Sequence, residues 1–157
     1  MKKTGSLFLC LLVTTAFFGS LSVNLVRKDS AGIFSSLRLP AGFPSEKGFV
    51  AIWLFLLTLC GFAAWHILQN PISAKRKKNV LIMLLIFLST VLAWNFLLFQ
   101  DGSLTGALAM NVAGILVGLL TTLMAWFVDH DAGYLLFPLV LWDLFSLYLN
   151  ISLVVLN

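Results

Sequence analysis

The sequence predicts an all-α integral membrane protein, a compact bundle of five transmembrane helices forming one domain over residues 1–157. Three observations predict it. Of the 157 residues 61% are hydrophobic and only 10% are charged, against about 25% charged in an average soluble domain. Mean hydropathy is +1.03, and a water-soluble fold of this size would have to wet much of that apolar surface, so lipid must be the solvent for most of it. The apolar residues also gather into five runs, 5–26, 48–69, 79–99, 104–128 and 133–156, each close to the roughly 20 residues that cross the hydrocarbon core.

The first run follows Lys2 and Lys3, a start that also suits a secretory signal peptide. Its length and the lack of a small-residue cleavage site after it favour an uncleaved helix. From Arg27 to Lys47 the chain carries Gly32, Pro40, Gly42 and Pro44, which break helices and suit a folded loop at the membrane surface. The second, third, fourth and fifth runs are joined by tight hairpins. Lys75, Arg76, Lys77 and Lys78 stand just before the third.

Positive loops stay cytoplasmic, so the Lys and Arg on alternating sides give an orientation. One side holds Lys2, Lys3 and Lys75 to Lys78; the other holds Arg27, Lys28, Arg38 and Lys47. The denser cluster places the amino terminus inside and the long first loop outside, in an integral membrane protein expected in a bacterial plasma membrane because no targeting presequence stands out. The net charge of +4 reads as topology and headgroup anchoring; no basic face suits nucleic acid. Cys10 and Cys60 lie inside apolar runs, where a thiol packs as a small hydrophobe.

No segment gathers a nucleophile, base and orienting acid, no metal-ligand spacing occurs, and no glycine loop suited to phosphate precedes a helix. Catalytic residues, a bound metal and a required cofactor are therefore not expected. What remains is a set of polar groups at membrane depth: His66, Asn95, Asn111, Asp143, Ser146 and Asn150. Each must face protein or a cavity, since an unsatisfied polar group in lipid costs several kcal/mol. Asp143 lies near the middle of the last span, where a charged carboxylate costs about 2.5 to 3.5 kcal/mol or more. It must be paired, protonated or beside water. Asp143, Ser146 and Asn150 fall at i, i+3 and i+7, so one helix face carries a polar stripe directed into the bundle. A ligand-facing group and a hydrogen-bonded interhelix staple both fit that stripe. His66 falls near the end of its span and reads as a headgroup-level histidine; Asn95 and Asn111 read as helix glue.

The fourth span carries Gly114 and Gly118 as GxxxG, roughly in line with Ala107 and Ala125, which suits close helix packing within the monomer or between monomers. Of the five tryptophans, Trp65 and Trp126 fit the interfacial belt. Trp53, Trp94 and Trp142 lie deeper. They fit core packing, and they also fit the walls of a flat, apolar pocket for an aromatic ligand.

Three stretches carry a resemblance. The last span, LLFPLVLWDLFSLYLNISLVVLN from Leu135 to Asn157, resembles a final-helix pattern of Pro-Tyr, Trp four residues after that Pro, then Leu-Asn. VLAWNFLLF, from Val91 to Phe99, is similar to an Asn-x-x-Trp-x-x-x-Phe-Phe segment. LRLPAGFPSEKGFVAIW, from Leu37 to Trp53, matches a loop Pro and a later Phe-x-x-x-Trp. Together with length, span number and the long first loop, the chain resembles the tryptophan-rich sensory protein family, also called translocator protein or peripheral benzodiazepine receptor. That resemblance implies a five-helix bundle, often a homodimer, with a pocket between the helices under the first loop, and ligands that include porphyrin and haem-type tetrapyrroles. Carried over, Trp53, Trp94, Trp142 and Ser146 match pocket-lining positions, Pro40 and Pro44 the lid loop, and Leu149 and Asn150 the Leu-Asn pair.

The departures carry information too. Ala41, Gly42, Phe43, Pro44 and Ser45 replace the loop's Trp-x-Pro-Pro, Val91 replaces the family's Asn, and Leu139 its Tyr. The loop tryptophans used for porphyrin breakdown are missing, so enzymatic turnover is not expected. The pocket is less polar, re-equipped by Asp143. No basic residue follows Tyr148 closely, so a sterol-binding pattern is lacking. The expected function is a membrane receptor or sensor for a small, flat, hydrophobic ligand, held by Trp53, Trp94 and Trp142 through stacking and by Asp143, Ser146 or Asn150 through polar contacts, with Pro44 in the lid. Aiding the transport of that ligand, or its turnover without being the enzyme, is a further role the pocket allows. A small proton- or ion-coupled transporter using Asp143 and a structural membrane subunit are the alternatives; the lack of repeat symmetry between halves speaks against the transporter.

Overall fold

The computed structural model describes residues 3–24 and 36–157. Lys2, Arg27, Lys28, Gly32 and the last two residues of the first expected span, 25–26, lie outside the described residues. The first helix, α1, covers residues 3–24: Lys3–Leu11 is α-helical and Leu12–Phe18 is π-helical. Then follow α2 (Glu46–Gln69), α3 (Ala74–Phe99), α4 (Leu104–Val128) and α5 (His130–Leu156). No strand occurs among the described residues. All five helices are long and apolar enough to cross a membrane.

The helices overrun the apolar runs at four starts, α1 beginning at Lys3 rather than 5. α2 begins at Glu46 rather than 48, α3 at Ala74 rather than 79 and α5 at His130 rather than 133. Length explains this: the 26 residues of α3 span about 39 Å at roughly 1.5 Å per residue, more than the roughly 30 Å of hydrocarbon. The first turn of α3, with Lys75 to Lys78, therefore belongs to the headgroup layer. Local capping sets the starts of α2, α4 and α5. Ser45 Oγ accepts a hydrogen bond from Gly48 N at 3.2 Å, Ser103 Oγ from Gly106 N at 3.2 Å, and Asp129 Oδ1 from Ala132 N at 3.1 Å, each satisfying a free N–H of a first turn.

α4 packs along both α3 and α5, α2 packs on α5, and α1 packs on α2, so the neighbour order is α1, α2, α5, α4, α3. Glycines set two of these approaches. A Cβ on Gly61 would lie 3.1 Å from Leu11 Cα across the α1–α2 contact, and one on Gly118 would lie 2.9 Å from Phe87 Cε2. Gly114 faces Thr90, so the GxxxG pair of α4 is used inside the monomer, against α3. The outer surface carries exposed Phe8, Leu116, Phe127 and Val155, which suits lipid and not water.

At the end of the bundle away from Lys75, the loop before α2 is held against α5. Arg38 N donates to Asn157 Oδ1 at 2.8 Å, Asn157 Nδ2 returns a bond to Arg38 O at 3.2 Å, and Tyr148 Oη donates to Ala41 O at 3.4 Å. A turn from Pro40 to Phe43, closed by a 3.2 Å bond, needs Gly42 at φ +83°, the position where a type II turn demands glycine.

Candidate functional site

The aromatic residues of the loop-side half form one cluster centred on Phe49. Its ring lies 5.8 Å from that of Trp94, nearly parallel at 25°. Edge-on contacts reach Trp53 at 6.2 Å, Phe99 at 5.8 Å and Trp142 at 6.2 Å, and Trp53 meets Trp142 at 6.4 Å. These distances and tilts are the favourable ones for aromatic pairs. Phe49 is 1% exposed; it is the Phe of the Phe-x-x-x-Trp match, but sequence reasoning did not assign it to the site, nor Thr90, Asn111 or Phe99. Phe49 lies four residues before Trp53, so the two share a face of α2.

Next to this cluster lies a cavity of about 10 Å³, the space one water molecule needs. Four helices meet there: Trp53 from α2, Thr90 and Trp94 from α3, Asn111 from α4, Asp143 and Ser146 from α5. Asp143 is 5% exposed, Trp53 4% and Asn111 6%. Trp53 Nε1, Asn111 Oδ1 and Asp143 Oδ2 are buried and make no hydrogen bond. Asn111 Nδ2 points at Asp143 O, 3.5 Å away. Thr90 Oγ1 donates to Phe87 O at 2.7 Å. Asp143 forms no ion pair among the described residues.

The residues singled out from the sequence separate into three groups. Trp53, Trp94, Asp143 and Ser146 line the cavity. Trp142 borders it through the ring cluster, its own Nε1 buried without a hydrogen bond. Asn150 and Pro44 are not in the cavity wall. Asn150 accepts from Trp94 Nε1 at 3.1 Å and donates to Ser146 O at 2.7 Å, so it fixes the Trp94 indole. Pro44 is half-buried in the loop before α2, next to Gly48. Asn95, fully buried, donates to Val91 O at 2.9 Å, a bond within its own helix.

The opposite end of the bundle holds a separate polar group. His66 Nδ1 lies 3.7 Å from Asp129 Oδ1, and one ligand atom each from His66, Asp129 and Asp131 lie within 4.8 Å of one another. Linear spacing does not reveal this grouping, because only the folded turns bring residue 66 to residue 129. Asn70 Nδ2 ties the same turns together, donating to Val128 O at 2.8 Å and to Asp129 Oδ2 at 3.3 Å.

A five-helix membrane bundle with a ring cluster and a buried carboxylate between four of its helices defines a small integral membrane protein with an internal polar site. More particularly, the model of the TspO/MBR family matches residues 7–156, and the chain belongs to that family. Comparison with curated proteins gives no match. Membership supports a membrane receptor or sensor role in general, in a family of binding and translocator proteins that is generally non-enzymatic.

Proposed function

We propose that this chain binds a flat, hydrophobic ligand of the porphyrin or haem type between α2, α3, α4 and α5, as a receptor or sensor that can also pass the ligand on. The supporting observation is the Phe49, Trp53, Trp94, Phe99 and Trp142 cluster lying against a cavity with three unpartnered polar atoms. Apolar walls with a few convergent polar groups are the usual build of a small-molecule site. Ring stacking gives such a ligand affinity, and Asp143 and Ser146 give it orientation. Asn150 contributes by holding Trp94, and Pro44 by shaping the loop above. A homodimer, which the family resemblance implies, would leave this site inside each protomer, since the α4 glycines are already packed on α3.

Magnitude decides how the ligand gets in. Ligand sites occupy about 300–1,000 Å³, and the cavity holds about 10 Å³. Binding must therefore part the ring cluster, and Phe49 is the ring that all the others touch. The test is a titration of protoporphyrin into the purified protein in detergent. Saturable quenching of tryptophan emission is expected, weakened by Trp53→Phe and by Trp142→Phe. Unquenched emission would remove the reading.

A further inference from the structure

The polar atoms of the cavity are unequal in kind. Two are acceptors, Asp143 Oδ2 and Asn111 Oδ1, and one is a donor, Trp53 Nε1; all three belong to side chains more than nine-tenths buried, and none has a hydrogen-bond partner. One of the acceptors belongs to a carboxylic acid at mid-membrane, and no Lys, Arg or His pairs with it among the described residues. The amide nitrogen of Asn111, Nδ2, is aimed at Asp143 O, which leaves its oxygen turned elsewhere. With Asp143 ionised, an edge that meets Asp143 and Asn111 together must donate hydrogen bonds, and in a medium of low dielectric it gains most by carrying positive charge. The indole walls favour the same sign, because a cation over an indole face is attracted to it. A carboxylate edge would set like charges side by side away from water.

We propose that Asp143, with Asn111, makes this pocket selective for planar aromatic ligands that present a cationic or N–H-donating nitrogen, which lies between the two side chains beside Trp53. The inference rests on the pocket reading above and adds the ligand's chemical class. Acidic arms of a ligand must then point toward the loop end and away from Asp143. In this role Asp143 is a specificity-determining residue.

The test uses three matched planar probes with the full-length protein in an uncharged detergent: cationic 9-aminoacridine, N-methylacridone as the neutral acridone without an N–H, and anionic acridine-9-carboxylate, each followed by tryptophan quenching. The wild type should bind the cation about ten-fold or more tighter than the neutral probe and the anion weakest, the size of effect that one charge-assisted hydrogen bond gives. Asp143→Asn should bring the cation down to the affinity of acridone while acridone changes less than about two-fold. Asp143→Leu, which removes the buried polar group altogether, should do the same, and serves should the amide variant fail to fold. If acridone binds but both variants keep the wild-type order of affinities, Asp143 is an interhelix staple and the selectivity is overturned while the pocket stands. If no planar probe binds the wild type, the pocket reading falls and takes this inference with it.

Discussion

Asn150 uses both atoms of its amide inside the bundle, accepting from Trp94 and donating one turn back along its own helix. The Trp94 indole is thus fixed from α5, across the helix boundary, while Phe49 lies nearly parallel to it on another side. Interhelix hydrogen bonds in membranes average about 0.6 kcal/mol and reach about 1.7. A double-mutant cycle of Asn150→Leu and Trp94→Phe, measured by unfolding in mixed micelles, should show a coupling energy in that range; a coupling near zero would mean that the bond does not hold the ring. Asn150→Leu should also leave the ranking of charged and neutral planar probes unchanged, because its amide does not face the cavity. Helical spacing shows that Asp143, Ser146 and Asn150 share one face, and the structure buries all three. Spacing does not show what stands opposite each residue. Seven residues separate Asp143 from Asn150, about 10 Å along the axis, enough for one to meet a cavity and the other a tryptophan. The role of Phe49 was illegible for the same reason: the Phe-x-x-x-Trp spacing puts it on the face of Trp53, but it gains its position at the centre of the cluster only from α3 and α5.

At the scale of the helices, the α3–α4 contact is the one most sensitive to a single substitution. Gly118 lies against the buried ring of Phe87, and a Cβ there would come within 2.9 Å of Phe87 Cε2, with two more ring atoms within 3.4 Å. Gly118→Val should therefore wedge the two helices apart and lower stability by about 1–3 kcal/mol, read as a lower midpoint of thermal unfolding in detergent. Phe87→Leu, which shortens the opposing ring, should recover part of that loss. A dimer-to-monomer shift with no change in unfolding would instead assign the glycine pair to a contact between protomers. The helices themselves were legible because the bilayer imposes one length on every span, and five apolar runs of that length admit little else. Their starts were not, since Lys75 to Lys78, Glu46 and His130 are polar residues that continue a helix out into the headgroups. The π-helical stretch Leu12–Phe18 was hidden as well. Its apolar pattern reads as an ordinary span, and Thr14 Oγ1, which donates to Cys10 O at 2.9 Å, is a bond any helical threonine makes.

The whole molecule confronts a ligand as a closed bundle. α2, α3, α4 and α5 converge on a space about as large as a single water, the ring cluster fills the volume beside it, and the loop from Arg38 to Ala41 is tied to α5 over the same end. Rigid walls around this cavity would exclude a planar ligand from it, so entry to the proposed site must wait for a fluctuation that separates Phe49 from Trp53 and Trp142. Association limited by such an opening has a signature: the observed rate rises with ligand concentration and then levels off at the opening rate. Stopped-flow quenching by protoporphyrin should show that plateau. Phe49→Leu keeps an apolar side chain at the centre of the cluster but removes its ring contacts, so the plateau should rise by several-fold while the bundle remains folded. A rate that stays linear in ligand up to the ordinary association range of about 10⁵–10⁷ M⁻¹s⁻¹ would show that the site is open before the ligand arrives. Opening is also where the two ends of the molecule connect. The ties from Asn70 and His66 to the turn at Asp129 hold α2, α4 and α5 together on the Lys75 side, so the proposed separation at Phe49 is expected to splay the loop-side half about a clasped base. Asn70→Ala, which loosens that base without touching the rings, should therefore change the plateau far less than Phe49→Leu does.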